Sequence, residues 1–254
     1  MELKKCLRVL GLVFVLVCVT VPLTVQADVY IKQKNHTDGY SMMGQTQPPQ
    51  DDLFVSWMSN DKARMDHGED TSIIIRLDKK MVYLINHAEM TYGEMPFDET
   101  TDILTSAIAS SDLSEEEQAE AAKMMAGFAE MMTPKVSVRE AGETRKIKDW
   151  NCKKYIMTTS MMGTTTTTEV WATEDIKIDY ELYSTLNFSM MSKTPGLEKM
   201  RDEMKKIKGL TVLSTGTMSI MGTDVKSTQE LLEVVKKSAP AVTYEIPEGY
   251  KKQK

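Results

Sequence analysis

The sequence predicts an α+β protein, a largely antiparallel β-sheet covered by several α-helices, and three observations predict it. Residues 145–180, RKIKDWNCKKYIMTTSMMGTTTTTEVWATEDIKIDY, alternate with a period of two on either side of a turn at Met162-Gly163. Tyr155, Met157 and Thr159 fall on one face and Cys152, Lys154 and Ile156 on the other, while Val170 and Ala172 oppose Trp171 and Thr173. Branched and aromatic side chains pack well on a pleated, half-buried surface, so this stretch reads as the middle of a sheet. Other stretches carry helix caps and a period of 3.6. The segments follow one another as strands, two helices, strands, helix, strand, helix, the order of an α+β chain.

The elements are justified in turn. Val29–Lys34 alternates as a strand, and Gly39–Gln45 is expected to return as its partner before Pro48-Pro49 interrupts. Leu53, Val55 and Trp57 share a face of the next strand, and residues 72–86, SIIIRLDKKMVYLIN, form a hairpin turning at Asp78-Lys79-Lys80. The run Ile73-Ile74-Ile75 before Arg76 implies cover on both faces, and helices are the expected second cover. After Pro96, Ile103, Leu104, Ala107 and Ile108 recur at helical spacing. Ser114 and Glu117 then form a capping box for a helix over 115–132, limited by Pro134. Its apolar stripe is Ala121, Met124, Met125, Phe128, Met131 and Met132. Thr164–Thr168 reads as strand. Thr194, Pro195 and Gly209 bound another helix with the stripe Leu197, Met200, Met204 and Ile207. Leu210–Ile220 reads as strand, and Ser227 with Glu230 as a capping box opening a final helix that buries Leu231, Val234 and Val235.

Lys4, Lys5 and Arg8 precede an apolar run, Val9–Leu23, and Val25-Gln26-Ala27 offers a cleavage point, the pattern of a secretory signal peptide over residues 1–27. The run is about 15 residues, short of the ~20 that a membrane-spanning helix needs. Lipidation at Cys18 is disfavoured by Val17 before it. Residues 28–254 are expected to form one soluble domain. The chain carries a net charge of −6, and the leader is itself basic, so the mature part is more acidic still. Such a chain has no electrostatic footprint for nucleic acid or anionic membranes. Cys152 alone remains after cleavage and reads as a small buried side chain, without an internal disulfide.

Methionine is the compositional outlier, with 21 residues and adjacent pairs at Met42-Met43, Met124-Met125, Met131-Met132, Met161-Met162 and Met190-Met191. Flexible thioethers suit core filling first and a deformable lining for an apolar ligand second. A Cu(I) site is the third reading, with Met200 and Met204, or Met218 and Met221, as the better candidates, because adjacent methionines diverge. His36, His67 and His87 lack zinc spacing. No nucleophile elbow, Ser/His/Asp order or phosphate-binding glycine loop stands in the sequence, so no catalytic residue and no cofactor is expected. An enzyme would need a site assembled only in three dimensions.

The phrases DVYIKQKNHTDGY, IIIRLDKKMVYLINHAEMTYGEMP, WNCKKY, EVWATEDIKIDY and YEIPEGYKK, in that order, resemble the exported bacterial proteins grouped as domain of unknown function 4412. The resemblance implies a bacterial chain, periplasmic or extracellular, in which the glycosylation patterns at Asn35 and Asn187 carry no meaning. It also implies a fold similar to the periplasmic lipoprotein carriers, a curved half-barrel whose concave face is covered by helices and can hold acyl chains. The expected function is therefore a non-enzymatic envelope protein binding an apolar small molecule or lipid. The expected lining is Met124, Met125, Phe128, Met131, Met132, Tyr155, Met157 and Trp171. The alternative is a structural or protein-interaction module of the envelope without a small ligand.

Overall fold

Strand formation decides most of the chain. The computed structural model describes residues 27–42, 44–96, 123, 133–161, 164–178, 197–220 and 223–253. Its strands are β1 (Val29–Thr37), β2 (Tyr40–Met42), β3 (Gln45–Gln47), β4 (Gln50–Met58), β5 (Lys62–His67), β6 (Thr71–Arg76) and β7 (Met81–Asn86). They continue as β8 (Thr91–Pro96), β9 (Lys135–Ile147), β10 (Trp150–Met161), β11 (Thr164–Thr173), β12 (Leu210–Ile220), β13 (Thr223–Lys236) and β14 (Lys251–Lys252). Helix α1 (Leu197–Met204) lies between β11 and β12. A 12-stranded sheet runs β14-β8-β7-β6-β5-β4-β1-β13-β12-β11-β10-β9, and β2 with β3 forms a separate two-stranded sheet. The large sheet is two antiparallel meanders, β4–β8 and β9–β13, joined by β1, which pairs with β4 on one side and β13 on the other. Among the described residues only the short edge pair β14–β8 is parallel.

The fold is thus nearly all β, which overturns the expected α+β sheet covered by several helices. Of the expected helices, the one bounded by Pro195 and Gly209 is present as α1. The helical segments over 103–108 and 115–132 lie outside the described residues, apart from Lys123, whose backbone is helical. The last expected helix is strand β13. Its pairing with β1 slips between Lys32↔Glu233 and Gln33↔Leu231, leaving Leu232 as an extra residue. That bulge lets Leu231 and Val234, three apart in the chain, join the same apolar cluster, so a strand acquires the spacing of a helix face. Two smaller expectations are also corrected. The segment after Gly39 pairs within itself as β2–β3 instead of with β1, and Ile176 and Ile178 sit in a bend after β11 instead of extending a strand.

On the β1 and β4–β8 side, one face carries Ile31, Met58, Ala63, Ile75 and Val82, all buried, with Val29, Met65, Ile73 and Met95 packed against them. Ile74, Ser72, Arg76 and Ile85 point to the other face and are also buried, as the Ile-Ile-Ile run implied. Among the described residues the second cover is not a helix. It is the irregular segment after β13, which crosses from Asp28 beside β1 to β8. Ala239 N donates to Asp28 Oδ2 at 2.8 Å, Arg64 and Arg76 donate to the Thr243 and Tyr244 carbonyls, and Lys251 N donates to Met90 O at 3.0 Å. The strap YEIPEGY follows neither a helical nor a strand period: Glu245 N and Tyr250 N close local turns on Val242 O and Pro247 O, and Arg76 of the sheet takes up the Tyr244 carbonyl.

The far end of the β9–β10 hairpin bends back over the sheet. Lys148, in its turn, donates to Leu231 O at 2.6 Å and pairs with Glu230 at 3.0 Å. In a flat sheet β10 and β13 stand three strand spacings apart, about 14 Å, beyond the reach of a lysine side chain. The Leu231 carbonyl that Lys148 reaches lies next to the bulge at Leu232.

Candidate functional site

Two arrangements of side chains stand out, one apolar and one polar. The apolar one lies on β9–β11, where Val138, Tyr155, Val170 and Ala172 form a buried cluster joined by Val136, Met157, Met204 and Ile207. Alternation places Tyr155 and Met157 on one face of β10, and Met204 at the end of α1 and Ile207 just after it pack on the cluster there. The helix is fixed at both flanks. Glu203 Oε2 accepts from Val138 N at 2.8 Å on edge strand β9, and the Tyr155 hydroxyl accepts from Lys208 N at 3.3 Å. Lys206 and the Val138 amide hold the Glu203 carboxyl below its ordinary range. Gly209, just before β12, takes φ +92°, where a side chain would meet Thr173 O.

The expected lining residues separate here. Tyr155 and Met157 stand together. Trp171 pairs across from Lys154, on the opposite face from Tyr155 and Val170, and belongs to the other apolar cluster. The Arg145 guanidinium lies 4.0 Å from its ring centroid. Lys154 flanks the same ring and bridges Glu169 and Glu143, whose carboxylates hold its ammonium charged. Met124, Met125, Phe128, Met131 and Met132 lie outside the described residues.

The face carrying Tyr155 and Met157 continues outward. Met161 lies two alternations along β10, and the row Met157↔Thr168↔Gly216 leads across β11 to Met218 on β12. Met161 is 42% and Met218 47% exposed, so methionines of this face stand open to solvent beyond α1, set among Thr159, Thr166, Thr168 and Gly216. Strand register, which no local motif announces, joins methionines that lie far apart in the chain.

The polar arrangement lies under the strap. Arg64 Nε donates to Asp66 Oδ1 at 2.6 Å and Nη2 to Ser72 Oγ at 3.0 Å; Ser72 Oγ donates to the same Asp66 oxygen at 2.5 Å. His87 Nε2 lies 2.6 Å from Ser72 Oγ, and His87 Nδ1 lies 2.8 Å from the Tyr250 hydroxyl on the strap. Serine has one proton, and Asp66 takes it, so His87 Nε2–H must be the donor to Ser72 Oγ. A serine nucleophile needs the reverse, a histidine nitrogen free to receive its proton. This Ser–His contact therefore latches the strap to β6 and β7 and is not arranged for general-base chemistry. Sequence reading missed it, because Ser72 and His87 approach only through the β6–β7 hairpin; the alternating Arg64 and Asp66 on β5 were the one available signal.

Arg76 makes the second latch, donating to both oxygens of Asp78, at 2.8 and 2.7 Å, and to Glu245 at 2.7 Å. The Arg76 hydrogen bonds hold the Asp78 carboxyl down to about 2, and Asp78 in turn raises the guanidinium further.

The remaining candidates are placed as follows. His36 bridges Asp51 and Asp38 on the surface, and His67 stacks on Phe54. Among the described residues no group of three or more His, Cys, Asp or Glu is disposed to hold a metal. Cys152 is a free thiol, 1% exposed, and burial pushes its pKa up. No described helix is long and apolar enough to cross a membrane.

These features define a β-sheet protein with one apolar face under a short helix and one polar face under a strap. The chain belongs to the family described as Domain of unknown function (DUF4412), whose model matches residues 112–250. The match takes in β9–β13, α1 and the strap up to Tyr250, and leaves β1–β8 outside it. No curated protein matches the chain.

Proposed function

We propose that the protein is an exported, non-enzymatic binding protein of the cell envelope that holds an apolar ligand, an acyl chain or lipid, against the face bearing Tyr155 and Met157. The observation that carries the reading is the uncovered continuation of that face through Met161 and Met218. Thioether side chains adapt to ligands of differing shape, and a face that leaves α1 without ending offers an acyl chain a place to lie. Met124, Met125, Phe128, Met131 and Met132, from the segment leading to β9, complete the proposed lining. Trp171 drops out of it, since it faces the other side. Export is supported by the leader pattern in residues 1–27, and the fully bonded Ser72 argues for binding over catalysis.

Titration with a fluorescent fatty acid tests the proposal. Saturable uptake by the wild-type protein, lost in Met157→Glu with the fold intact by circular dichroism, is the expected result. Equal uptake by both proteins would place the ligand elsewhere, and no uptake by either would remove the proposal.

A further inference from the structure

A guanidinium cannot shed its charge, so a chain that buries one must surround it with acceptors. This chain does so twice, with Asp66, Ser72 and Thr243 O around Arg64, and with Asp78, Glu245 and Tyr244 O around Arg76. Arg201, on α1, departs from that pattern. Its Nε is buried and finds no hydrogen-bond acceptor among the described residues. The nearest acid along the helix that faces the sheet, Glu203, is already taken by Val138 N and Lys206. Arg201 stands one turn before Met204 and Lys205, and the described residues against which α1 packs are β9 and the cluster of Val138, Tyr155, Val170 and Ala172. One donor of a half-buried guanidinium, Nε, is thus buried without an acceptor among the described residues, on a helix that packs against an apolar cluster, and an anionic head group would complete it.

We propose that Arg201 anchors the head of the ligand, and that the ligand is a single-chain anionic amphiphile. Its carboxylate or phosphate pairs with the Arg201 guanidinium, and its chain runs along the face of Tyr155, Met157 and Met161. The inference rests on the apolar-ligand reading above and adds the chemistry of the head group. A neutral lipid of equal chain length satisfies the same apolar face but leaves Arg201 unpaired.

Competition against a fluorescent fatty acid, with hexadecanoate, hexadecyl phosphate and hexadecanol as probes, tests it on the wild type, Arg201→Met and Arg201→Lys. At least one of the two anions is expected to bind the wild type about tenfold or more tighter than the alcohol, a free-energy difference of one decade in affinity. Which anion wins distinguishes a fatty acid from a phosphate-headed lipid. In Arg201→Met the preference should vanish while alcohol binding is unchanged, which also shows that the variant is folded; Arg201→Lys should keep part of it. Equal binding of all three probes by the wild type, or a preference that survives Arg201→Met, would overturn the anchor and leave the apolar-ligand reading standing. Failure of all three probes to bind would overturn both.

Discussion

Ser72 is the residue on which the polar face turns, because three groups, Arg64, Asp66 and His87, converge on one hydroxyl. Replacing it with alanine leaves Asp66 and His87 each short of a partner under the strap. Buried groups left unsatisfied cost about 1–3 kcal/mol, so Ser72→Ala should lower the unfolding free energy by an amount in that range, read by urea titration. An unchanged midpoint would show that the network is not tight. Asp78 gives a pH-dependent counterpart. Its folded pKa, about 2, lies below the ordinary value of 3.8, so its stabilisation is fully present above 3.8 and is lost as pH falls through 2. With the side chain 30% exposed, solvent screening reduces the contribution to roughly 1 kcal/mol. Asp78→Asn should therefore be less stable than wild type at pH 6, and the two should converge as pH approaches 2; a constant gap would contradict the assignment. Cys152, buried and with its pKa raised, should resist thiol reagents in the native protein and react on unfolding.

At the scale of elements, the join between α1 and β12 is the most constrained. A Cβ on Gly209 would lie 2.0 Å from Thr173 O, at a φ that side chains rarely adopt. Gly209→Ala should cost on the order of 3 kcal/mol, against a few tenths at an unstrained glycine. Gly142, also at positive φ, marks a different device. It lies in the irregular stretch of β9, where the pairing with β10 jumps from Thr144 to Glu140. Together with the charges of Arg139, Glu140 and Glu143 and the Glu203 cap on Val138, this irregularity guards the long edge strand against pairing with another chain. The elements also show what was legible in the sequence. The β6–β7 hairpin and β10–β11 were readable because Ile, Val, Thr and Trp alternate there without interruption. β13 was not, since one extra leucine rewrote its period. β5 and β8 carry few branched residues and are held as strands by their neighbours. The strap was invisible in advance, because its conformation is dictated by Arg64, Arg76 and His87, which lie more than 150 residues away in the chain. The site divided in the same way: the shared face of Tyr155 and Met157 followed from alternation, whereas the run to Met218 depended on the register of three strands.

At the scale of the whole molecule, one sheet supports two unlike faces. The strap closes the polar face with directional hydrogen bonds, and α1 covers only part of an apolar face with adaptable methionines. The proposed division is that the strapped side holds the fold while the methionine side receives the ligand. Phe128 belongs to the proposed lining, so Phe128→Ala should weaken fatty-acid uptake at modest cost in stability, whereas a packed core phenylalanine would cost about 3–5 kcal/mol. The most direct measurement is native mass spectrometry of protein purified from its exported fraction without detergent. The account predicts a bound species heavier than the polypeptide by the mass of one acyl-chain lipid, displaced by added hexadecanoate. A bare polypeptide mass that stays unchanged when hexadecanoate is added would contradict it.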